Sequence, residues 1–350
     1  MDKKFKSAWK KKILQWYATN KRDLPWRLKK NQKFYNIWIS EVMLQQTQVS
    51  VVIPYYKKFI KKWPTLESFF DAKLEEILKI WQGMGYYKRA QNLFKAKELL
   101  KKSDKEIEIC SSSLKDLPGV GDYISSAISA ILNDEACAVI DGNIKRILTR
   151  AFNIRSSDKS FNKKIKEISQ ELTPISDNGN YCQSLMDLAN LVCKVRNPKC
   201  EICPIFLLCK SKGKIESKKK IIKIKKKISM AFIVISNDKI LIDQSEKNLL
   251  QNLYCYPLSF FEDINENFVA KNYVNKTANQ WMKENNLKVS YEVVGEVVHK
   301  FSHFHLKVLI VEIRLDNTIK LRNFIWLKRK ELKKKPISKL MFKIKEKVGC

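Results

Sequence analysis

The spacing of apolar residues divides the chain into two differently patterned parts near residue 213. Before that point apolar residues recur every three to four positions, which is the repeat of an amphipathic helix. After it, short runs such as AFIVIS and KILID have the composition and length of strands. These two runs flank Asn237-Asp238, which favours a hairpin turn, whereas residues around 275–286 keep a helical repeat.

These patterns predict a multidomain protein in which an all-α domain is followed by a smaller α+β domain. We place the helical domain at 1–212, a lysine-dominated linker at 213–228 and the α+β domain at 229–350. No apolar run approaches the roughly 18 residues that a membrane span needs. The N-terminal MDKKFKSAWKKK lacks the apolar core of a secretion signal. We therefore expect a soluble, cytoplasmic, monomeric protein with no membrane partner.

The composition is strongly basic, with 68 Lys and Arg against 36 Asp and Glu and a formal net charge of +32. Such a charge predicts attraction to polyanions, including nucleic acids. Only 10 of the 68 cations are arginine. An excess of lysine, with abundant Ile and Asn, also arises from A·T-rich coding, so the charge by itself leaves both explanations open.

Four cysteines lie within seventeen residues, separated by gaps of six, two and five residues: Cys193, Cys200, Cys203 and Cys209. Thiolates are soft ligands that suit zinc or an iron–sulfur cluster. Zinc ribbons usually bring two C-x-x-C knuckles, and this segment has one. The alternative of core or disulfide cysteines does not require such close clustering. The spacing therefore predicts a four-thiolate metal site.

A second motif, LPGVGDYISSAISAIL at residues 117–132, is a Pro-Gly-x-Gly turn that leads into an apolar helix. Gly119 and Gly121 permit positive φ and a close backbone approach. Amides at such a helix start can face a phosphate oxygen, although an ordinary turn between helices has the same pattern. Asp141 follows twenty residues after Gly121.

Together these segments resemble the endonuclease III superfamily of helix–hairpin–helix DNA glycosylases. The resemblance rests on the stretch YCQSLMDLANLVCKVRNPKCEICPIFLLC, on the turn at 117–132 and on Asp141, which occur in the superfamily's order. It implies a [4Fe-4S] cluster at 193–209, held by the four cysteines, and a DNA substrate.

Tyr123 distinguishes between branches of the superfamily. It stands where the bifunctional branch carries a lysine, which attacks the sugar as an amine and leads to strand cleavage. A phenol cannot form a Schiff base. We therefore expect a monofunctional glycosylase that uses water as the final nucleophile.

Residues 35–56, YNIWISEVMLQQTQVSVVIPYY, closely resemble the MutY family of adenine-specific mismatch glycosylases. The resemblance implies that Glu41 is the general acid that protonates the departing adenine. Glu41 lies among apolar residues of a predicted helix, where desolvation would raise its pKa toward neutrality. Without the resemblance, a solvent-facing glutamate would be the simpler interpretation.

The same resemblance implies roles for further residues. Asp141 would stabilise the oxocarbenium-like sugar, as an electrostatic partner or as a transient nucleophile. Tyr123 and Asn143 match positions that contact the sugar or the catalytic groups, and Gln183 matches a position that contacts the flipped adenine.

Two residues match the family's wedge, which fills the gap left by an extruded base. They are Gln46 in LQQTQ and Tyr86 in QGMGYYKRAQNL. Gly83 and Gly85 would let the backbone approach a duplex, and Lys88 and Arg89 could meet phosphates. A core aromatic is the alternative interpretation of Tyr86.

In the C-terminal part, Phe301, Ser302 and His303 match the family's recognition loop for 8-oxoguanine, which belongs to a Nudix-like domain. The three histidines of HKFSHFHL could instead suggest zinc, but no acidic ligand lies close by in the sequence. Residues 240–290 lack the glutamate-rich helix of a Nudix enzyme, so we do not expect pyrophosphohydrolase activity.

The sequence thus predicts a monofunctional adenine DNA glycosylase of base excision repair, acting on adenine opposite 8-oxoguanine or guanine in duplex DNA and associated with the nucleoid when bound. The alternative is an endonuclease III-like bifunctional pyrimidine glycosylase and AP lyase. Tyr123 and the additional C-terminal domain argue against it. A non-catalytic DNA-binding protein with a structural cluster is a third hypothesis, and the presence of both Glu41 and Asp141 argues against it.

Overall fold

The protein was analysed as a computed structural model, which describes residues 1–103, 107–214, 224–243, 253–264, 268–301, 303–321 and 323–349. The chain forms two compact units. The first consists of Met1–Asp71 and Asn92–Lys218, and the second of Ala72–Gln91 and Lys219–Cys350. Within the described ranges, no helix combines the length and apolar character that crossing a bilayer requires.

The first unit is helical. Its helices are α1 (Lys3–Asn20), α2 (Phe34–Leu44), α3 (Val49–Lys62), α4 (Leu66–Phe70), α6 (Lys88–Lys102, from Asn92 onward), α7 (Asp122–Asn133), α8 (Gly142–Phe152), α9 (Phe161–Leu172) and α10 (Asn178–Leu191). Helix α10 lies at the centre, where it packs against α1, α7 and α8, while α2 packs against α3 and α7. The apolar repeat predicts this arrangement because each helix turns its apolar stripe inward. Trp9, Ile13, Ile144 and Leu188 belong to the resulting buried core.

Polar residues define where the central helices begin. Asp141 is the N-cap of α8, and its Oδ1 accepts a hydrogen bond of 2.7 Å from the backbone N–H of Ile144. Asp134, which follows α7, accepts a hydrogen bond of 2.9 Å from the N–H of Asp177 at the start of α10. Because the first amides of a helix have no partner within it, these carboxylates stabilise both helix starts.

The Pro-Gly-x-Gly turn before α7 uses its two glycines differently. Gly119 has φ +83°, and a Cβ there would stand 2.8 Å from Cβ of Asn92. Gly121 is the N-cap of α7 with φ −90°, so it does not use the positive φ that glycine permits. Among the described residues, no atom lies within 4 Å of a Cβ placed at Gly121, and no side chain caps the helix. The start of α7 is therefore open to an approaching ligand.

The second unit is built on a mixed sheet. It contains α5 (Leu74–Trp81), β1 (Lys225–Ser236), β2 (Lys239–Asp243), β3 (Glu262–Asp263), α11 (Ala270–Glu284), β4 (Glu292–Lys300), β5 (Phe304–Arg314), β6 (Phe324–Lys328), α12 (Arg329–Leu332) and α13 (Lys339–Lys347). The strand order is β4-β5-β1-β2-β6, and β3 pairs with β1. Strand β1 runs parallel to β5, and its other pairings are antiparallel. It lies in the middle of the sheet, which explains its continuous apolar run.

The fold class predicted from the sequence is confirmed, since a helical unit precedes a sheet with flanking helices. The hairpin at Asn237-Asp238 is also confirmed, because β1 and β2 pair antiparallel across it. Strand β1 begins at Lys225, inside the segment predicted as linker, and residues 215–223 of that segment lie outside the described residues.

The two glycines of the turn before α7 provide a matched pair of substitutions. We expect Gly119→Ala to lower the free energy of unfolding by about 1–3 kcal/mol, because alanine would adopt a disfavoured backbone conformation and contact Asn92. Gly121→Ala should change stability by less than about 1 kcal/mol, since its backbone is extended and the space beside it is open. Urea unfolding of both variants and the parent measures this, and equal stability of the two variants would contradict the analysis.

Candidate active site

Glu41 lies in the middle of α2, and its side chain is buried with the helix's apolar residues. Its residue is 4% exposed, and Oε2 has no hydrogen-bond partner among the residues that the structure describes. The pKa of Glu41 is raised from 4.5 to about 7, chiefly by desolvation; the Tyr123 hydroxyl lowers it, the nearby Asp141 carboxylate raises it, and Arg27 lowers it. The group is therefore about half protonated at neutral pH, as a general acid requires.

A pocket opens beside this carboxyl. The volume of this pocket, including its open side, is about 360 Å³. Its walls combine apolar side chains with a few polar ones: Leu24, Trp26, Ile37, Leu44, Val49, Ile131, Met186, Arg22, Arg27, Glu41 and Gln183. The Gln183 amide nitrogen donates 3.0 Å to the carbonyl of Gly179, which fixes the side chain on α10. An apolar cavity with few convergent polar groups is typical of a small, flat ligand.

Two arginines of the pocket wall are held by Asp187, which is fully buried on α10. Arg27 donates two hydrogen bonds to its carboxylate, of 2.7 and 2.9 Å. Arg22 donates from its side chain at 2.7 Å and from its backbone N–H at 2.9 Å. A buried carboxylate needs this number of donors to remain charged. We call these contacts of Arg22 and Arg27 with Asp187 the clamp. The clamp joins the segment between α1 and α2 to α10 and thereby forms one wall of the pocket.

Asp141 is positioned from two sides. While Oδ1 caps α8, Oδ2 accepts a hydrogen bond of 2.7 Å from the Asn143 amide. The Asn143 oxygen accepts in turn from Arg146, at 3.0 Å. Arg146 also donates to the carbonyls of Cys193 and Ala189, at 2.9 and 3.0 Å. A continuous chain of hydrogen bonds therefore connects the predicted catalytic aspartate with the start of the cysteine loop.

Tyr123 lies in the first turn of α7 with its hydroxyl close to both predicted catalytic carboxyls. Burial, followed by the charges of Glu41 and Asp141, raises the pKa of Tyr123 well above its usual value. The hydroxyl consequently stays protonated, and its proximity lowers the pKa of Glu41. It donates a hydrogen bond of 3.6 Å to Sδ of Met186. The structure thus brings Glu41, Tyr123, Asp141 and Asn143 together, as predicted from the sequence.

The four clustered cysteines line one cavity of about 470 Å³, counted to its open side. Its remaining walls are largely apolar and include Ile147, Leu188, Val192, Ile205 and Phe206. The pKa of Cys203 is raised to about 11, chiefly by burial and to a smaller extent by the charges of the neighbouring cysteines. Among the described residues, no group of three or more His, Cys, Asp or Glu side chains is arranged to hold a metal ion.

Arg150, one turn after Arg146 on α8, holds the beginning of the cysteine loop. Its guanidinium donates to Cys193 Sγ at 3.3 Å and to the carbonyls of Lys194 and Val195, at 2.6 and 3.0 Å. These bonds fix the backbone that carries the basic residues of the loop.

The two residues predicted as wedges share an unusual backbone. Gln46 has φ +55° and Tyr86 has φ +50°, and both side chains are exposed. Left-handed conformations are disfavoured for such residues and are common at functional sites. Gln46 belongs to the first unit and Tyr86 to the second. Arg89 is 8% exposed, so its guanidinium lies inside the protein and not at a phosphate-facing surface.

The segment that matches the recognition loop joins β4 to β5. The ring of Phe301 packs edge-on against His299, with ring centres 4.6 Å apart, and stacks on Phe304 at 4.7 Å. Its backbone N–H donates to the carbonyl of Phe304, at 2.9 Å. His303 is exposed at the tip, and Ser302 lies outside the described residues.

Several residues of the site were not identified from the sequence. They are Arg22, Arg27, Met186, Asp187, Arg146 and Arg150. Two signals were available. The segment RDLPWR places two arginines around Pro-Trp in the gap between two apolar repeats, and KRILTR places two arginines four residues apart on one helix face.

Comparisons with known proteins agree with this geometry. Residues 39–174 match the HhH-GPD superfamily of base excision DNA repair proteins, and residues 230–347 match the NUDIX domain. An adenine DNA glycosylase of Buchnera aphidicola subsp. Schizaphis graminum is 36% identical over 316 residues, which cover 87% of each chain. The human adenine DNA glycosylase is also 36% identical, over 220 residues that cover 60% of this chain and 40% of the human one.

Solved structures show the same helical fold. A thermostable thymine-DNA glycosylase is 28% identical with a TM-score of 0.55, covering 61% of this chain and 98% of its own. A trapped covalent intermediate of endonuclease III with DNA has a TM-score of 0.51 at 20% identity, which shows the shared fold alone. From the matched domains and the extent of the similarity to the Buchnera relative, the chain belongs to the adenine DNA glycosylase family of the HhH-GPD superfamily.

Proposed function

We propose that this protein is a monofunctional adenine DNA glycosylase, which hydrolyses the N-glycosidic bond of adenine opposite 8-oxoguanine or guanine in duplex DNA. The observation that carries the proposal is Glu41: a buried carboxyl with a pKa of about 7 at the wall of a largely apolar pocket. Its relatives are named adenine DNA glycosylases, in bacteria, plants and mammals. We further propose that the protein acts as a monomer in the cytoplasm, at the nucleoid when bound to DNA.

Glu41 supplies the proton that adenine needs in order to leave. Adenine departs poorly as an anion, so protonation at N7 must accompany cleavage of the bond between C1′ and N9. The unpartnered Oε2 is the atom that can carry this proton into the pocket. Gln183, on the same pocket wall, offers a hydrogen bond to the edge of the flipped base.

Asp141 supports the sugar after the bond breaks. The electron pair of the C1′–N9 bond leaves with the base, and the sugar becomes an oxocarbenium-like cation. A carboxylate fixed by Ile144 and Asn143 stabilises this cation, either through its charge or as a transient covalent partner. Water then adds to C1′ and gives its proton to the Glu41 carboxylate, so the products are adenine and an abasic site.

Tyr123 supports the absence of strand cleavage. A lyase needs an amine that forms a Schiff base with the sugar. The described residues that line the pocket include two arginines and no lysine. The bifunctional pyrimidine glycosylase is consequently the weaker candidate.

Several surfaces of the protein suit a duplex. The uncapped start of α7 at Gly121 offers backbone amides to a phosphate. The cysteine loop carries Lys194, Arg196 and Lys199. Gln46 and Tyr86 are both exposed, and each matches a family position whose side chain fills the gap left by an extruded base. These contacts rest on charge and shape and fit a protein that scans DNA.

The cysteine cavity would hold a [4Fe-4S] cluster through Cys193, Cys200, Cys203 and Cys209. The presence of all four cysteines in one cavity lining and the apolar walls of that cavity support this assignment. When bound, such a cluster cross-links the loop through four iron–sulfur bonds. Arg150 would donate a hydrogen bond to the Cys193 ligand, and Arg146 would hold its carbonyl.

The loop between β4 and β5 would read the base opposite the adenine. Phe301 is held between His299 and Phe304, and His303 is exposed beside it. This arrangement offers a fixed aromatic face and a polar group to a modified base edge, with Ser302 as the second polar residue of the match.

The activity is tested with duplexes that carry adenine opposite 8-oxoguanine, under single-turnover conditions and followed by alkali. Glu41→Gln and Asp141→Asn should each lower the excision rate by about 10² to 10⁴-fold. Asparagine is also a good N-cap, so Asp141→Asn keeps α8 intact while removing the charge. Both variants should still bind the duplex.

The parent should not nick DNA without alkali. Its rate should fall as pH rises above about 7, because the protonated form of Glu41 is then lost. Excision by Glu41→Gln within a few-fold of the parent would refute the acid assignment, and strand cleavage by the parent without alkali would favour the bifunctional alternative.

The acid role of Glu41 has a cost in stability that can be measured separately. Since burial raises the pKa of Glu41 from 4.5 to about 7, its ionisation destabilises the folded state as pH rises through this interval. Glu41→Gln should therefore raise the free energy of unfolding at pH 8 by up to about 3 kcal/mol, and by less than about 1 kcal/mol at pH 5. Urea unfolding at the two pH values measures the difference.

Glu167→Gln is the matched control, because Glu167 is exposed on α9 and its substitution should have a small effect at both pH values. A gain at position 41 that does not depend on pH, or a loss at pH 8, would contradict the assigned protonation.

The cluster proposal predicts a brown protein with about four irons per chain and the broad visible absorbance of an iron–sulfur chromophore. Cys200→Ser should lose iron and colour because one ligand is removed. Cys110→Ser, outside the cavity, should keep both. A colourless parent with one stoichiometric zinc ion would overturn the proposal.

The lesion-reading proposal predicts a change in preference and not in chemistry. Phe301→Ala and His303→Ala should reduce the ratio of excision rates opposite 8-oxoguanine and guanine by about tenfold, the effect of losing a base contact worth ~1–3 kcal/mol. His305→Ala, two residues further on in β5, serves as the control. An unchanged ratio in the first two variants would count against the role of this loop.

A further inference from the structure

Tyr86 is held in an unfavourable backbone conformation. Its φ is +50°, although its bulky side chain disfavours the left-handed region, and its residue is 44% exposed. Gly83 and Gly85, on its N-terminal side, have φ +96° and +81°, so three of the six residues between α5 and α6 have positive φ. Such a turn persists only when the surrounding structure fixes it.

Arg89 contacts this turn from inside the protein. Its guanidinium carbon lies 5.4 Å from the ring centre of Trp81 and 5.4 Å from that of Tyr86. Its Nη2 donates to the carbonyl of Gly85 at 3.2 Å, and its Nε donates to the carbonyl of Tyr86 at 3.4 Å. Trp81 adds a hydrogen bond of 3.2 Å from its Nε1 to the same Gly85 carbonyl.

These two carbonyls belong to the peptide planes on either side of the Tyr86 Cα. A rigid group that holds both planes fixes the φ and ψ of the residue between them. The same guanidinium lies against the Tyr86 ring, which restrains the direction of the side chain. One planar cation thus controls both the backbone and the ring of a single exposed tyrosine.

We infer that Arg89 is a positioning residue for the Tyr86 wedge and sets the ring in its inserting orientation before DNA arrives. The inference rests on the wedge role proposed above. Positioning the Tyr86 ring in advance has an entropic benefit, because a side chain that is already ordered loses less conformational freedom when it enters the base stack. Lysine could not replace arginine here. A guanidinium is planar and can donate to two carbonyls while it lies against a ring, whereas an ammonium group has no such plane.

The burial of Arg89 separates this role from phosphate binding. Lys88, the preceding residue, is exposed and carries the same charge, whereas Arg89 is 8% exposed. Arg89→Lys keeps the positive charge, so it tests the planar guanidinium and not the attraction to phosphate. Lys95→Gln, at an exposed position of the same helix, is the surface control and should leave base extrusion in the bound complex unchanged.

The test uses the full chain and a duplex with fluorescent 2-aminopurine at the target position, whose emission rises when the base leaves the stack. With saturating protein, Arg89→Lys should reduce the rate of extrusion about tenfold, as expected for the loss of a stacked, bidentate guanidinium. In a Tyr86→Ala background, the same substitution should change the rate by less than about twofold, because Arg89 acts through the tyrosine.

The outcomes distinguish the wedge role of Tyr86 from the positioning role of Arg89. If Tyr86→Ala alone leaves extrusion unchanged, the wedge role fails, and the inference about Arg89 fails with it. If Tyr86→Ala slows extrusion but Arg89→Lys does not, or slows it equally in both backgrounds, only the positioning role is overturned. Should Arg89→Lys prove unfolded by circular dichroism, Trp81→Phe removes the Nε1 hydrogen bond to Gly85 and is read in the same two backgrounds.

Discussion

The desolvation of one carboxyl group is the constraint on which the rest of the site depends. Glu41 is surrounded by the apolar residues of α2, and this burial is the largest influence on its pKa. Asp141 acts in the same direction, and Tyr123 and Arg27 act against both. The resulting pKa near neutrality is a balance of these four influences. The pocket, the clamp and the hairpin helix all contribute to that balance.

The second carboxylate is held by a chain of contacts that ends far from the chemistry. Asp141 is fixed by Asn143, Asn143 by Arg146, and Arg146 by the carbonyls of Cys193 and Ala189. The first two links lie within α8 and its N-cap, and the last joins α8 to the end of α10 and to the loop that follows it. A disturbance of the cysteine loop would therefore reach Asp141 through two side chains, those of Arg146 and Asn143. Under the proposed function, this connection couples the cysteine cavity to the carboxylate that stabilises the sugar.

The sequence predicted the parts of the protein that depend on local pattern. The apolar repeat located the helices, the alternation located the strands, and Asn237-Asp238 located a hairpin. The residues of the site were found through motifs of short span. The sequence did not reveal the clamp of Arg27 on Asp187, because those residues lie 160 positions apart and meet only after α10 has packed. Contacts of this kind depend on tertiary arrangement, which no local pattern encodes.

The same distinction explains two details. The sequence shows that Gly119 and Gly121 permit positive φ, but only Gly119 adopts it, because Gly121 is a helix N-cap with an extended backbone. Arg89 looked like a phosphate ligand beside Lys88, yet the helix turns neighbouring side chains in different directions and buries one of them. The sequence identifies both residues as cations, and their positions around the helix axis determine which one is exposed and which one is buried.

The capping of α8 by Asp141 has a consequence for how the protein can lose its activity over time. Among the twenty residues, a few short polar ones stabilise a helix start, and of these aspartate alone combines capping with a full negative charge at this end. The folding of this helix start therefore tolerates asparagine, serine or threonine at position 141, whereas the chemistry proposed for Asp141 does not. Under the proposed function, a variant of this kind would remain folded and bind DNA without excising the base, so loss of activity at this position would leave no trace in the protein's stability.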